Sequence, residues 1–207
     1  MDKLKDRIVR DGVAIGTEIL KVDTFLNHQI DVDLFEEMGA EFRRRFGDVA
    51  DRVDKILTVE ASGIAVAAFT ARAFGGVPVV FAKKEKPSTM DDEYYFSEVM
   101  SFTKRKLSAI RVAKKFLSAG DRCLIIDDFL AHGQAALGLL HICGQAGAEV
   151  LGCGIVIEKA FQGGGAKLRE KGVRVESLAV VASIESGVIH FGDAAAPDAP
   201  APGTPAP

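Results

Sequence analysis

Short, uninterrupted apolar runs, each closed by a turn and followed by a helix-length segment, are the feature that most narrows the fold of this chain. Lys55-Ile56-Leu57-Thr58-Val59 reads as a strand, Glu60-Ala61-Ser62-Gly63 as a turn opening an apolar helix that ends near Gly75-Gly76, and Val77-Pro78-Val79-Val80-Phe81 as the next strand. Leu124-Ile125-Ile126-Asp127, the segment from Gly133 to Gly147, and Val150 to Ile157 repeat the order strand, helix, strand. A strand that is apolar on both faces is covered on both, and parallel strands need crossovers long enough to hold helices. The expectation is an α/β fold with a central, mostly parallel sheet and helices on both faces. With 207 residues the chain can bury one sizeable core and a minor appendage.

Around this frame the pattern is less regular. Leu4 and Ile8, one turn apart, predict an opening helix stopped by Gly12. Val13 to Ile30 has no long period, but Leu20, Phe25, Leu26 and Asn27 suit a small folded cap covering about residues 1–32 of a single domain, 1–191. Asp33 is placed to cap a helix whose Leu34, Met38, Phe42 and Phe46 recur at each turn. Lys83 to Lys106, with Pro87, Ser88, Asp91, Asp92, Tyr94 and Tyr95, is too long and polar for an ordinary connection and reads as a mobile loop beside the active site. The Ala- and Pro-rich stretch 192–207 cannot bury a core and reads as a disordered tail.

Charge and cysteine usage exclude several classes of function. A formal net charge of −3 offers no basic excess for neutralising nucleic-acid phosphates. Cys123, Cys143 and Cys153 are odd in number and lack a C-x-x-C spacing, so buried reduced thiols in a cytoplasmic protein are expected rather than disulfides or zinc ligands. Met1 to Arg10 is too charged for a signal peptide, and no apolar run reaches the ~20 residues of a membrane span. His28, His132, His141 and His190 are scattered without a metal-ligand spacing, and no metal site is named on protein ligands alone.

The chemistry concentrates in Cys123-Leu124-Ile125-Ile126-Asp127-Asp128-Phe129-Leu130-Ala131-His132-Gly133-Gln134-Ala135. A buried strand ends in two adjacent carboxylates, and a short loop through Gly133 enters a helix N-terminus. In open α/β sheets ligands bind beyond the carboxyl ends of the strands, and a helix N-terminus presents unpaired N–H groups to phosphate. Acids that accept from sugar hydroxyls beside amides that hold a phosphate suit a sugar phosphate. The plainer alternative is that the paired acids simply end a strand and cap a helix.

This run resembles the signature with which type I phosphoribosyltransferases bind 5-phosphoribosyl diphosphate (PRPP). Lys21-Val22-Asp23, Phe25-Leu26-Asn27-His28-Gln29-Ile30-Asp31, Phe129-Leu130-Ala131, Gly133-Gln134-Ala135, and Ile155-Val156-Ile157-Glu158-Lys159 with Phe161-Gln162 are similar to the xanthine-using branch of that family. The resemblance covers about residues 1 to 191. It implies conversion of xanthine and PRPP to xanthosine 5′-monophosphate and diphosphate, with Mg²⁺ accompanying PRPP, in a homodimer. It further implies that Asp127 and Asp128 contact the ribose, and that Ala131, His132, Gly133, Gln134 and Ala135 hold the 5-phosphate. Glu60, Ala61, Ser62 and Gly63 correspond to the diphosphate loop, and Leu20, Asn27 and Lys159 to the base site. Lys83, Lys84, Lys104 and Arg105 flank the long polar stretch, from which they can approach the diphosphate.

Two departures from the family pattern stand out. His132 occupies a position that is commonly Thr or Asn, and Ala131 stands where some 6-oxopurine enzymes carry an acid, so no general base is named. Two competing readings remain: a hypoxanthine/guanine transferase, and a noncatalytic PRPP-sensing transcription regulator. Such regulators carry an added N-terminal DNA-binding domain, for which there is little room before a first core strand near Val53.

Overall fold

The computed structural model describes residues 1–85, 93–101 and 106–192. The first helix, α1 (Asp2–Asp11), buries Leu4 and Ile8, stops at Gly12, and is pinned at its start by the Met1 amino group donating to the Leu178 carbonyl at 2.6 Å. A hairpin of β1 (Val13–Ile15) and β2 (Ile19–Lys21) follows, then a single π-helical turn, Asp23–Asn27, whose Phe25 and Leu26 anchor it in the core. Helix α2 (Val32–Arg45) buries Leu34, Phe35, Met38 and Phe42 along one face.

Its cap is Asp31, not the expected Asp33. Asp31 has extended backbone angles and its carboxylate accepts from the Leu34 amide at 3.2 Å. Asp33 already lies in the first turn, where a negative charge favours the helix dipole but cannot cap.

The core then alternates strand and helix: β3 (Lys55–Val59), α3 (Ser62–Ala73), β4 (Val79–Ala82), a hairpin of β5 (Tyr94–Ser101) and β6 (Lys106–Ala113), β7 (Arg122–Leu130), α4 (Gln134–Ala146), β8 (Glu149–Lys159), α5 (Gly164–Glu170), β9 (Val175–Glu185) and β10 (Val188–Phe191). The main sheet has the order β10-β9-β8-β7-β3-β4. All its neighbours are parallel except β10, which returns antiparallel along β9. Ser186 and Gly187 both take positive φ, 50° and 81°, which gives a two-residue turn the twist a hairpin needs.

Two apolar layers cover the sheet. On one face α1, α2 and α3 enclose Phe25, Phe35, Phe42 and Phe46, all fully buried. Each such ring contributes about 1.5–3 kcal/mol through loss of water contact. On the other face α4 and the β5–β6 hairpin pack over β7 and β8, and the three cysteines lie free and buried in this layer.

The stretch expected to be a loop over 83–106 contains a strand, β5, paired residue for residue with β6 from Tyr94↔Ala113 to Ser101↔Lys106. Aromatic and branched residues, Tyr94, Tyr95, Phe96 and Val99, favour the extended chain, and the hairpin is joined to the end of β4 by paired bonds between Lys83 and Arg111. Pro87, Ser88, Asp91, Asp92, Lys104 and Arg105 lie outside the described residues, as does the tail 193–207. In the glycine run 163–165, Gly163 caps α5, and Gly164 and Gly165 form its first turn.

Candidate functional site

Strand β7 carries Asp127 and Asp128 near its end at Leu130, only 8% and 7% exposed. The Asp128 amide donates to Asp127 Oδ1 at 3.0 Å. Burial first, and the charge of Asp128 second, push the Asp127 carboxyl well above its ordinary range, while the Lys84 ammonium acts in the opposite direction. Gly63, in the first turn of α3, closes in from β3: a Cβ on it would stand 2.1 Å from Thr58 Oγ1 and 2.6 Å from Asp127 Oδ1. Only a residue without a side chain permits that approach. The turn Glu60, Ala61, Ser62, Gly63 is thus set directly beside the carboxylate pair. Its Glu60–Ala61 peptide is cis, and Glu60 Oε1 accepts from the Lys84 amide at 2.5 Å, tying the ends of β3 and β4 together.

On the other side of Asp127, the loop Ala131, His132, Gly133, Gln134, Ala135 carries β7 into α4. Gly133 takes the left-handed conformation, φ 82°, that lets the chain turn into the helix. Among the described residues no side chain caps the N-terminus of α4, and none caps that of α3. First-turn amides have no acceptor within their own helix and sit at its positive end, so each terminus offers donors to an anion. His132 Nδ1 lies 3.2 Å from the Gln162 carbonyl, which only accepts, so that nitrogen carries the ring proton.

A cleft of about 440 Å³ joins these parts. Asp127, the loop from Ala131 to Ala135, Lys84 and Lys159 line it, together with Glu18, Ile19, Phe129 and Gln162. Lys159 Nζ donates to the Glu18 carbonyl at 3.0 Å and lies over the Phe129 ring, 5.6 Å from its centroid. Burial holds its ammonium below the usual range, with Glu18 partly offsetting that effect. The Glu18 bond also closes the β1–β2 hairpin over the end of β8.

The sequence-predicted residues are therefore distributed unevenly. Asp127, the Ala131–Ala135 loop and Lys159 share the cleft, with Asp128 next along the strand and the Glu60–Gly63 turn behind Asp127. Leu20 and Asn27 are not among the lining residues: Leu20 is buried in the core, and Asn27 is exposed on the π-helical turn. From the hairpin it is Glu18 and Ile19 that reach the cleft. Sequence reasoning missed them, although the strand period was the available signal, because Leu20 and Ile19 must face opposite ways.

Among the described residues no group of three or more His, Cys, Asp or Glu gathers into a metal cage. The cleft thus offers an anion site at the start of α4, a carboxylate for hydroxyl groups or a hard cation with the start of α3 set behind it, and an ammonium against apolar surface. That combination suits a phosphorylated sugar meeting a flat polar ring.

Comparison with known proteins bears on the same point. The model of the phosphoribosyl transferase domain matches residues 22–194. The xanthine phosphoribosyltransferase of Ruminiclostridium cellulolyticum is 55% identical over 191 residues, covering 92% of this chain and 99% of that protein. The xanthine phosphoribosyltransferase of Clostridium novyi is 54% identical, covering 92% and 99%. Among solved structures, the adenine phosphoribosyltransferase of Rhodothermus marinus superposes with a TM-score of 0.68 at 19% identity, covering 87% of this chain and all of that one, a likeness of fold.

Proposed function

Because the chain belongs to the phosphoribosyltransferase family, we propose that it transfers the 5-phosphoribosyl group of PRPP to xanthine, giving xanthosine 5′-monophosphate and diphosphate in purine salvage. The observation that carries this reading is the buried Asp127–Asp128 pair lying between two uncapped helix N-termini, in a chain so similar to proteins of that name.

Each part of the donor then has a partner. Ala131, His132, Gly133, Gln134 and Ala135 hold the 5-phosphate through first-turn amides of α4, aided by the positive end of the helix. The ribose hydroxyls donate to Asp127 and Asp128. Glu60, Ala61, Ser62 and Gly63 present the start of α3 to the diphosphate, and Lys84 adds a cation from the end of β4. Substitution at the anomeric carbon develops positive charge on the ribose and negative charge on the departing diphosphate, so fixed carboxylates and fixed amides stabilise the charges where they appear.

The donor set fits Mg²⁺ arriving with PRPP. Mg²⁺ keeps several waters and takes one or two carboxylates plus substrate phosphates rather than a protein cage, and Asp127 and Asp128 are the carboxylates at hand. When bound it draws charge from the diphosphate.

For the base, Lys159 donates to a purine oxygen and favours an anionic ring. Leu20, whose side chain is buried, offers its backbone, while the Asn27 amide nitrogen donates to the C2 oxygen from the cap and its carbonyl oxygen accepts from a ring N–H. A homodimer and a cytoplasmic setting belong to the same proposal, the latter supported by three free buried thiols.

The test offers xanthine, hypoxanthine, guanine and adenine with PRPP and Mg²⁺, separately and in competition, and repeats the assay with excess chelator. Preferred formation of xanthosine monophosphate, lost with the chelator and restored by Mg²⁺, is the expected result. Preference for another base overturns the assignment of the base site. Binding of PRPP without turnover of any base supports the regulator instead.

A further inference from the structure

Beneath the cleft lies a polar cluster that the transfer reaction does not use. Glu158, next to Lys159 at the end of β8, is 3% exposed. Arg169 of α5 meets it with both guanidinium nitrogens, Nη1 to Oε1 at 2.9 Å and Nη2 to Oε2 at 3.0 Å, and Ser177 Oγ donates to Oε2 at 2.5 Å. A buried carboxylate is costly unless its oxygens are paired, and here both are. Burial pushes the Glu158 carboxyl up, but the bonds from Arg169 and Ser177 outweigh it and hold the group below its ordinary range.

The glycine run 163–165 is wedged between this cluster and the loop after β7. A Cβ on Gly165 would lie 1.8 Å from Glu158 Oε1 and 2.5 Å from Arg169 Nη1. One residue earlier, a Cβ on Gly164 would lie 2.4 Å from the Ala131 carbonyl oxygen and 2.6 Å from the Gly133 nitrogen. The Gly164 amide donates to that same Ala131 carbonyl at 3.0 Å, and His132 Nδ1 bonds the Gln162 carbonyl just upstream. Backbone therefore touches backbone across the whole of Ala131 to Gly133, with an ion pair on the far side.

We propose that Glu158 and Arg169 are positioning residues for the Ala131–Gly133 segment, their ion pair fixing the glycine run as the backing on which that segment rests. The inference rests on the reading that this loop holds the 5-phosphate. Neither side chain touches substrate. Their effect passes through Gly164 and Gly165 to amides whose direction must match the phosphate oxygens. A misplacement well under an ångström weakens donor binding, while Lys159, which leaves β8 in the opposite direction from Glu158 to meet Glu18 and Phe129, keeps its hold on the base.

The experiment compares Glu158→Gln, Arg169→Lys and Gly164→Ala with the parent in steady-state kinetics, melting temperature and equilibrium binding of ribose 5-phosphate. In each variant KM for PRPP and Kd for ribose 5-phosphate rise on the order of 10-fold, and KM for xanthine stays within about twofold. Arg169→Lys, which keeps the charge, loses least. A cluster that merely stabilised the fold would lower the melting temperature and leave both donor constants at parental values. That result, in folded Glu158→Gln or Gly164→Ala enzyme, overturns the proposal. Gly164→Ala pushes on the Ala131 carbonyl directly and tests the glycine backing only; where Glu158→Gln does not fold, Arg169→Lys decides the role of the ion pair. A parent that turns over no base and binds no ribose 5-phosphate removes the reading of the loop itself, before any variant is compared.

Discussion

The substitution Asp127→Asn is expected to make the unliganded protein more stable and the enzyme worse. Asp127 is 8% exposed, lies beside a second buried acid, and has its carboxyl pushed well above the ordinary range by burial first and by Asp128 second. Asparagine is nearly the same shape, and its Oδ1 can still accept the Asp128 amide now bound at 3.0 Å. It carries no charge to bury and none to repel Asp128. Relief of such a strained site is typically worth about 1 kcal/mol, which for a chain of this size raises the melting temperature by roughly 3 °C.

The pH dependence gives this argument its sign. A carboxyl whose folded pKa is raised contributes stability that is fully present below the unfolded value, and that contribution is lost as pH rises through the folded one. The amide of the Asp127→Asn variant does not titrate, so its advantage over the parent should be small near about pH 4 and larger near about pH 7.5 in thermal melts without ligand. In turnover, losing a charge-assisted bond to a ribose hydroxyl costs about 1.5–3 kcal/mol, or roughly 10- to 140-fold in kcat/KM for PRPP. An Asp127→Asn enzyme that melts below the parent by the same margin at both pH values refutes the electrostatic argument. Undiminished kcat/KM for PRPP refutes the ribose contact.

Three further outcomes follow from the same geometry. Lys159→Met, which keeps the stem over Phe129 and removes the ammonium, raises KM for xanthine by roughly 10-fold or more with KM for PRPP nearly unchanged, as initial rates at varied base and donor will show. Phe42→Ala, deep in the α2 face of the core and outside the cleft lining, costs about 3–5 kcal/mol in denaturant unfolding while active-site titration finds the remaining folded enzyme fully competent. The Glu158 carboxyl, held below its ordinary 4.5, contributes stability that is present above the unfolded value and lost as pH falls through the folded one; Glu158→Gln should therefore melt with a flatter acid limb than the parent.

Strands β3, β7 and β8 were legible in the sequence because each is apolar on both faces, and that burial needs no knowledge of a partner. The same holds for Asp127-Asp128 followed by a glycine-led helix, where strand, acids and helix start are contiguous. Strand β5 was hidden for the opposite reason. Its Ser97 and Val99 are buried while Phe96 and Glu98 are exposed, an alternation that places a serine inside and an aromatic outside. The helical character of Gly164 and Gly165 was equally hidden, since glycine carries no local preference for it; the run is held by Glu158, Arg169 and the Ala131 carbonyl, all distant in sequence or invisible to periodicity. Which acid caps α2, and which residue of β2 faces the cleft, turned on single-residue offsets that composition does not distinguish.

What joins the separately legible pieces into one site is strand order. From β3 the chain moves outward to β4 through α3, which packs on the face holding Phe42, whereas from β7 it moves the other way to β8 through α4 on the opposite face. Because β3 and β7 are neighbours, the two helices diverge from adjacent strand ends and leave a crevice between their N-termini, the position at which open α/β sheets bind ligands. Asp127 stands on that line, with Gly63 on one side and the Ala131–Ala135 loop on the other. A β3 placed at the far edge of the sheet would keep every motif of this sequence and have no such site. The acids, the two amide-rich turns and their helix dipoles act on one substrate only because the crossovers depart in opposite directions.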